Sequence, residues 1–423
     1  MRSSDTARVP PAVRRWLIVT ALFVVTYGIS TPFAAYGVFL PVLAETFGWT
    51  RGAISTALSI NLLVGGVAGF VIGTLADRHG PRVLLVVTVA FAGSGFALVS
   101  TVSALWHLYV YVGVLSGIGM SSFYLLSTAT VAHWFHERRG LGIALVLVGF
   151  SLGYISGGPL AAWLITHAGW RAAYALIGGG CGVMTFLAAL TVRLPSTVEL
   201  HVLHHGALPS ATATVAPARV HGGSTLREAL SDPRLWYLSV AWLLLGGIAV
   251  MVSVHIVPFA RDHGISLEGA SLALTAYGVG SVSGRLAAGA VSDRVGTRTT
   301  IGIAYAVQAL GLTALLWASS REVLLAMLVL FGVGFAAADN MITKAIPDVF
   351  GVRALGAIMG VLTAGWRLGA AIGPAAAGFL YDAAGSYVPA FGAAPVAVLV
   401  SWTLFTLAAS HTRLRAGVRS PAR

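Results

Sequence analysis

The sequence predicts an all-helical integral membrane protein whose twelve transmembrane helices form two halves of six. Three observations predict this fold: an apolar composition, a series of segments long enough to span a bilayer, and an internal repeat. Of the 423 residues, 57% are hydrophobic and only 9% are charged. A soluble domain carries about 25% charged residues. The chain therefore has too few charges to coat a surface in water, and lipid must surround most of it.

The apolar segments are long, and many reach the roughly 20 residues that a transmembrane helix needs. Within lipid, every backbone N–H and C=O must be paired inside the protein, which leaves only helices or closed β-barrels. The segments show no alternation of polar and apolar residues, which excludes the barrel. We expect helices at residues 16–44, 52–76, 83–102, 105–133, 140–166, 171–192, 235–261, 267–292, 299–319, 322–347, 354–381 and 388–410.

The basic residues fall mainly on one side of this arrangement. Most of the 26 Lys and Arg residues lie in the two chain ends and in the loops after the even-numbered helices. By the positive-inside rule, both termini are cytoplasmic and the protein lies in the plasma membrane, in bacteria the inner membrane. The net charge of +12 therefore indicates membrane topology rather than nucleic-acid binding. A single cysteine, Cys181, excludes an internal disulfide and a cysteine metal cluster.

The internal repeat connects two stretches of ten residues. Residues 73–82 read GTLADRHGPR and residues 289–298 read GAVSDRVGTR, at an offset of 216 residues. Because this offset is close to half of the chain, the sequence is an internal duplication. We expect an N-terminal bundle at 1–192, a cytoplasmic linker at 193–234 and a C-terminal bundle at 235–423.

The same offset relates two rows of glycines, each spaced by four residues. On a helix, residues four apart share one face, and small residues on that face let two helices approach closely. We interpret both rows as packing surfaces. The rows are Gly149, Gly153 and Gly157, and Gly365, Gly369 and Gly373.

The paired ten-residue motif resembles the signature loop of the major facilitator superfamily, and the resemblance covers nearly the whole chain. It implies the major facilitator fold, with two pseudo-symmetric six-helix bundles. It also implies that Asp77 and Asp293 take part in charge networks that hold an outward-open state. Their basic companions would be Arg78, Arg82, Arg294 and Arg298. A plain topology anchor is the alternative.

Arg285, Arg367 and Asp339 are charged residues that lie away from the ends of the expected helices. Such a group costs about 2.5 kcal/mol or more in a bilayer and is a functional candidate. Arg285 lies eight residues before Asp293, roughly 12 Å along the helix, and its planar guanidinium matches a carboxylate. It either binds an anionic substrate or pairs with an internal acid. Arg367 is either a second cation for substrate or a partner of Asp339, and Asp339 either carries a proton or pairs with Arg367 or Lys344.

Other polar residues are candidates for the wall of a central cavity. His255 can change its charge near neutral pH, so it is a candidate for substrate binding or proton transfer, with a satisfied core histidine as the alternative. Tyr124, Asn340, Tyr36 and Ser281 can supply uncharged hydrogen bonds. We expect Tyr124, Asn340 and His255 to line the cavity together with Arg285.

Local motifs resemble the branch of the superfamily that contains monocarboxylate transporters and oxalate–formate exchangers. They are YGVFLP at 36–41, WFHERRGLGIA at 134–144, GWR at 169–171 and an H-x-x-P-x-x-x-D-x-G pattern that begins at His255. Arg285 matches the arginine that binds the substrate carboxylate in that branch. Two departures concern coupling: Ser281 stands where the eukaryotic transporters have Asp, and Ala34 and Ala35 stand where they have a helix 1 Lys.

These observations favour a secondary transporter that moves a lactate- or pyruvate-like monocarboxylate with a proton by alternating access. A carboxylate exchanger is the alternative, and a drug efflux pump is a third. We expect no enzyme activity, no cofactor, no metal and no nucleic acid, with a monomeric functional unit in a lipid bilayer. Histidines in the linker, at positions 201, 204, 205 and 221, lack the cysteines or paired acids that would support a metal site.

Overall fold

The structure is a computed structural model that describes residues 10–121, 123–135, 139–196, 199, 224–318, 320–351 and 353–416. Its described residues form helices and no strands. We label the membrane-crossing helices α1 to α12. The terminus side of the bundle is the side on which α1 begins and α12 ends, and the far side is the opposite one.

The first half contains six crossings. One assigned helix, Arg139–Tyr174, has non-helical backbone at Gly169 (φ 80°, ψ 160°), so it contains two crossings. We therefore take α5 as residues 139–168 and α6 as residues 170–191, which include a short π-helix at Ala175–Gly179. The other four are α1 Pro11–Phe47, α2 Arg51–His79, α3 Pro81–Leu98 and α4 Leu105–Trp134.

The second half repeats this arrangement after a short helix at Leu226–Leu230. Its crossings are α7 Pro233–Asp262, α8 Leu267–Val295, α9 Thr297–Leu315, α10 Arg321–Phe350, α11 Leu355–Ala384 and α12 Val388–Ala416. The observed bounds lie within a few residues of the predicted ones for most of these helices. The predicted end of α9, at residue 319, is four residues beyond its observed end at Leu315.

Length and hydropathy alone identify nine membrane-spanning helices among the described residues. One of them, 51 residues long, contains both α5 and α6. Helices α8 and α9 are not among these nine, because polar residues such as Ser281, Arg285 and Gln308 lower their mean hydropathy. These two helices nevertheless pack with the others, and Gln308 is fully buried.

The sequence duplication appears in the turns between helices. Glycines at related positions adopt positive φ angles, which side chains other than glycine rarely tolerate. Three pairs share the offset of 216 residues. They are Gly48 and Gly264, Gly80 and Gly296, and Gly169 and Gly385. The helix starts repeat as well, because the Thr50 and Ser266 side chains cap α2 and α8.

The two glycine rows pack as predicted, each against the first helix of its own half. A Cβ atom at Gly157 would lie 2.6 Å from the carbonyl oxygen of Thr31 on α1. At the related position in the second half, a Cβ at Gly373 would collide with the carbonyl oxygen of Gly247 on α7. Both the glycines and their partners are related by the same offset. The close approach of α5 to α1 is therefore repeated by α11 and α7.

The halves contact one another along the far side and the middle of the molecule. Helix α2 meets α11 where Gly378 approaches Gly52 and where the Ser59 hydroxyl donates to the Ala371 carbonyl at 2.5 Å. Helix α5 meets α8 where the Thr275 hydroxyl donates to the Ile155 carbonyl at 2.7 Å. The far side is therefore closed.

Toward the terminus side the same helix faces separate. Phe70 continues the α2 face that packs on α11, and it is 77% exposed. Leu286 continues the α8 face that packs on α5, and it is 73% exposed. Positions four residues apart lie on one helix face, so both side chains border a gap between the halves. We call this space the central gap; it opens toward the terminus side.

The two halves differ at α4 and its counterpart α10. Helix α4 contains a π-helix at Tyr109–Leu115 and a turn at Met120 and Ser121, where the Ser121 N–H bonds to the Ile118 carbonyl, whereas α10 is continuous over the related residues. A π-helix leaves carbonyl groups without their usual α-helical partners. The Asn61 side chain of α2 donates to one of these, the Val112 carbonyl, at 2.7 Å.

A cluster of charges on the terminus side connects α1, the end of α6 and the start of the segment that follows. Glu199 accepts hydrogen bonds from Arg14 at 2.6 Å and from Arg193 at 2.6 and 2.9 Å. Burial opposes the charge of Glu199, but these bonds and the Ser196 backbone N–H outweigh it and lower the pKa of the carboxyl to about 2. Glu199 is therefore charged at neutral pH and ties these segments together.

Candidate functional site

Arg285 lies on α8 at the edge of the central gap, partly buried. In the described part of the chain no ion pair joins it to an acidic residue. It interacts electrostatically with Tyr124 of α4 and Tyr154 of α5, which belong to the other half. A permanent cation in the middle of the membrane therefore faces the opposite bundle without a neutralising partner at contact distance.

Asp339 and Asn340 on α10 lie next to Arg285. The Trp242 indole N–H donates to one carboxylate oxygen of Asp339 at 2.8 Å, and the Asn340 amide donates to the main-chain carbonyl of Arg285 at 3.4 Å. Arg285 and Asp339 interact electrostatically without forming a contact ion pair. No ion pair connects Asp339 with Arg367 or Lys344 among the described residues; Lys344 instead contacts Asp293.

Tyr124 faces these groups from the first half. Its side chain is 54% exposed, and it interacts electrostatically with both Arg285 and Asp339. Because those partners belong to the second half, the exposed face of Tyr124 borders the central gap and not the lipid. The structure thus brings together four of the predicted residues, Arg285, Asp339, Asn340 and Tyr124.

Arg367 on α11 reaches across to the first half. Its guanidinium donates to the Ser121 carbonyl of α4 at 3.4 Å and passes over Gly65 and Gly66 of α2. A Cβ at Gly65 would lie 3.1 Å from this guanidinium. The described residues provide no acidic partner for Arg367. It therefore spans the two halves at mid-membrane, held by a main-chain carbonyl.

His255 lies away from this group, in the closed far-side region. It is fully buried, with Nδ1 2.8 Å from the Tyr387 hydroxyl and Nε2 2.8 Å from the Pro374 carbonyl. The carbonyl can only accept, so Nε2 carries the proton and Nδ1 accepts from the tyrosine. In this conformation His255 joins α7 to α11 and to the turn before α12, and does not line the central gap, contrary to our expectation from the sequence.

Tyr36 and Ser281 also lie outside the central gap. Tyr36 is 1% exposed, and its hydroxyl donates to the Ile54 carbonyl of α2 at 2.6 Å. Ser281 is buried, and its hydroxyl donates to the Tyr277 carbonyl one turn earlier at 2.8 Å. Both hydroxyls satisfy main-chain groups within their own half. In this conformation neither is available to a ligand in the gap.

The far side contains a group of charges that the sequence analysis did not identify as a unit. Arg51 of α2 donates two hydrogen bonds to Asp262 of α7, at 2.7 and 2.8 Å, and lies 3.9 Å from the Tyr381 ring centre. Asp382 of α11 accepts from the backbone N–H groups of Arg51 and Gly52 at 3.0 and 2.9 Å. We call Arg51, Asp262 and Asp382 the far-side gate. Asp262 is the aspartate of the pattern that begins at His255, but nothing in the sequence indicated that it pairs with Arg51.

The duplicated motifs lie at the terminus-side ends of α2 and α8. Asp293 pairs with Lys344 of its own half at 3.3 Å, and both side chains are exposed. Arg82, Arg294 and Arg298 are also exposed. The side chains of Asp77 and Arg78 lie outside the described part of the structure, as do the linker histidines. No group of three metal-ligating side chains occurs among the residues described.

Comparison with known proteins agrees with this architecture. The sequence profile of the Major Facilitator Superfamily matches residues 18–266 and 246–421. The solved structure of the nucleoside transporter NupG aligns with a TM-score of 0.73 at 11% identity, covering 92% of this chain and 99% of that one. A bacterial homolog of the lysosomal transporter Spinster, in an inward-facing unoccupied conformation, aligns with a TM-score of 0.68 at 14% identity, covering 97% of each chain.

Curated relatives are transporters too. Monocarboxylate transporter 13 of Bos taurus is 24% identical over 396 residues, which cover 93% of this chain and 89% of the relative. A gallate transporter of Pseudomonas putida is 26% identical, covering 96% of this chain and 94% of the relative. With the family profile matching nearly the whole chain and the fold shared with solved transporters, this protein is a multi-pass secondary transporter of the major facilitator superfamily.

Proposed function

We propose that the protein moves a small monocarboxylate together with a proton, by alternating exposure of one mid-membrane site to the two sides. The distribution of Lys and Arg supports a cytoplasmic terminus side in a bacterial inner membrane. On this assignment the structure represents a state open to the cytoplasm. A single chain forms the whole site, which favours a monomeric functional unit.

The observation that carries the proposal is the unpaired Arg285. A charged arginine in a bilayer is costly unless it is compensated, and the nearby Asp339 is bound by Trp242 instead of forming a contact pair with it. A carboxylate ligand in the central gap would complete the compensation, because its two oxygens match the guanidinium fork. Tyr124 faces the same space and supplies a hydroxyl to the bound anion.

Asp339 is the residue that we assign to the proton. Asp339 is partly buried in α10, and one of its oxygens accepts a hydrogen bond from the Trp242 indole N–H. This hydrogen bond does not involve a cation. When the substrate anion occupies Arg285, it removes the electrostatic support of the Asp339 charge, and the carboxyl takes up a proton. The proton on Asp339 offsets the charge of the bound anion, so the loaded carrier has the same net charge as the empty one. The empty carrier, with Asp339 deprotonated, then reorients and exposes the binding site to the original side of the membrane again.

A carboxylate exchanger is the second candidate, and the position of Arg367 favours it. Two cations at mid-membrane, Arg285 and Arg367, suit a carrier that reorients only when an anion is bound. The Ser121 carbonyl is a weak partner for Arg367, at 3.4 Å. A dicarboxylate that displaces this contact would bridge the two arginines.

Transport into proteoliposomes separates these functions. We expect an inwardly directed proton gradient to drive accumulation of labelled lactate, pyruvate or benzoate by the wild type. Arg285→Ala should abolish the uptake, whereas Arg285→Lys, which keeps the charge but loses the fork, should retain a fraction of it. Asp339→Asn should lose proton-driven accumulation and keep exchange against internal substrate.

Three results would redirect the proposal. Uptake that needs internal carboxylate and ignores the pH gradient would favour the exchanger. Loss of that exchange in Arg367→Ala, with Arg353→Ala as a control in the loop before α11, would assign the second cation to the substrate. Uptake of carboxylates that is insensitive to Arg285→Ala would refute the role of this arginine.

A further inference from the structure

We propose that the carboxylates carried by this protein are aromatic: the substrate is an aryl monocarboxylate of the benzoate type. This inference rests on the proposed function, because it assumes that Arg285 binds a carboxylate. It adds a second recognition element, a row of aromatic side chains beside Arg285. We call this the aromatic row; it consists of Phe123, Phe150, Tyr154 and Tyr277.

The aromatic row crosses from one half of the protein to the other. Phe123 of α4 lies parallel to Phe150 of α5, with ring centres 5.6 Å apart and an interplanar angle of 6°. Phe150 is 5.4 Å from Tyr154, and Tyr154 meets Tyr277 of α8 edge-on at 6.0 Å. Such separations are typical of attractive aromatic contacts. The rings form a continuous surface across the junction of α5 and α8.

Part of this surface borders the central gap. Tyr277 is 6% exposed and closes the row on the second half, while Phe123, Phe150 and Tyr154 are only partly buried. Phe150 is one turn from Tyr154 on the same face of α5, toward the terminus side, where the halves separate. Its ring therefore lies at the entrance to the region that Tyr154 and Tyr277 close.

Arg285 is placed to hold a carboxylate while the row contacts the rest of the ligand. It lies on the same helix as Tyr277, eight residues or roughly 12 Å further toward the terminus side. It also interacts electrostatically with Tyr154 and Tyr277, the two members of the row at the junction of α5 and α8. A ring attached to the bound carboxylate would point into the space between Arg285 and Phe150.

The chemistry of this space suits a flat ring better than a short chain. Lactate or pyruvate, with three carbons, would occupy Arg285 and leave the aromatic surface facing water. An aryl group would cover that surface and gain offset or edge-on contacts that a saturated ring of the same size lacks. Tyr124, which follows Phe123 on α4 and is 54% exposed, can offer its hydroxyl to a polar group on the substrate.

The test compares ligands that share the carboxylate and differ in the ring. Binding of benzoate, cyclohexanecarboxylate and lactate to purified protein is measured by calorimetry and by thermal shift. We expect benzoate to bind the wild type roughly three- to ten-fold more tightly than cyclohexanecarboxylate, and lactate to bind most weakly. Phe150→Leu should reduce the ratio of benzoate to cyclohexanecarboxylate affinity toward one. Phe186→Leu, at a part-exposed phenylalanine of α6, is the control and should keep the ratio.

The comparison of ligands on the wild type needs no variant, so a folding defect in Phe150→Leu leaves the test intact. Equal affinity for benzoate and cyclohexanecarboxylate, or tighter binding of lactate, would overturn the aromatic inference while the carboxylate function stands. If none of the three ligands binds, the proposed function fails as well. The two failures are therefore distinguishable.

Discussion

The far-side gate gives the most direct prediction about how the transporter changes conformation. Arg51 and Asp262 belong to different halves, so their contact must break for the far side to open. Replacing Arg51 by Ala removes both hydrogen bonds to Asp262 and the contact with the Tyr381 ring. It leaves the Asp382 contacts in place, because these use backbone N–H groups. The variant should therefore open the far side more often, without losing the gate entirely.

The size of the effect follows from the exposure of the pair. Charge-assisted hydrogen bonds contribute about 1.5 to 3 kcal/mol when they are buried, and exposed ion pairs contribute about 1 kcal/mol or less. The Arg51 and Asp262 side chains are 15% and 30% exposed, between these limits. With the cation–π contact added, we expect a net loss of about 2 kcal/mol for the closed far side. That free energy changes the ratio of the two conformations about 30-fold.

Distance measurements between spin labels provide the assay. Labels at Glu45 and Glu268, exposed residues near the far side of each half, are introduced into a Cys181→Ala background and measured by double electron–electron resonance. Arg51→Ala should add a population at longer distance that is minor in the parent. The matched control is Arg321→Ala, which removes the same charge from an exposed pair with Glu322 inside one half. If both variants give the distance distribution of the parent, the gate does not hold the far side closed.

Three further predictions concern stability. Glu199→Gln should lower the free energy of unfolding by about 1 kcal/mol at pH 7. Because the pKa of Glu199 in the folded protein is lowered from 4.5 to about 2, this difference from the wild type should shrink as the pH falls below 4.5. Thermal unfolding at pH 7 and at pH 3.5 measures the change. Gly373→Ala should destabilise the protein by about 1 to 3 kcal/mol through collision with α7, whereas Gly360→Ala on the same helix, with open space around it, should be neutral or stabilising in the same assay. Asp293→Asn should leave the Tm nearly unchanged, because its pair with Lys344 is exposed; a large fall in Tm would show a tighter role for this carboxylate.

The helices and the duplication could be predicted from the sequence because they depend on patterns within short stretches of the chain. Apolar length determines each crossing, and the glycine turns at Gly80 and Gly296 mark the ends of related helices. The π-helix within α4 was not predicted, since Tyr109–Leu115 has the apolar composition of a regular helix. The Asn61 side chain, which satisfies the Val112 carbonyl there, comes from another helix, so the local sequence does not show this contact.

The candidate site was only partly predictable for a related reason. Helices in a membrane bundle are apolar on all sides, so the sequence does not show which face a polar residue presents. Charge and position in the chain predicted that Arg285 and Tyr124 lie at the central gap, which agrees with their positions in the structure. His255 and Tyr36 were expected there too, but they bond main-chain groups outside the gap. The contact of Arg367 with Ser121 depends on how the halves meet, which no local pattern encodes.

The division of α4 has a mechanical consequence for the duplicated fold. Its counterpart α10 is an uninterrupted rod that carries Asp339 and Asn340, so these two groups can only shift together with the whole helix. In α4, by contrast, a turn at Met120 and Ser121 interrupts the regular helix, and Tyr124 lies just after it. We therefore expect Tyr124 to adjust to substrates of different shape more readily than Asp339 and Asn340, which move only with α10 and the helices packed against it.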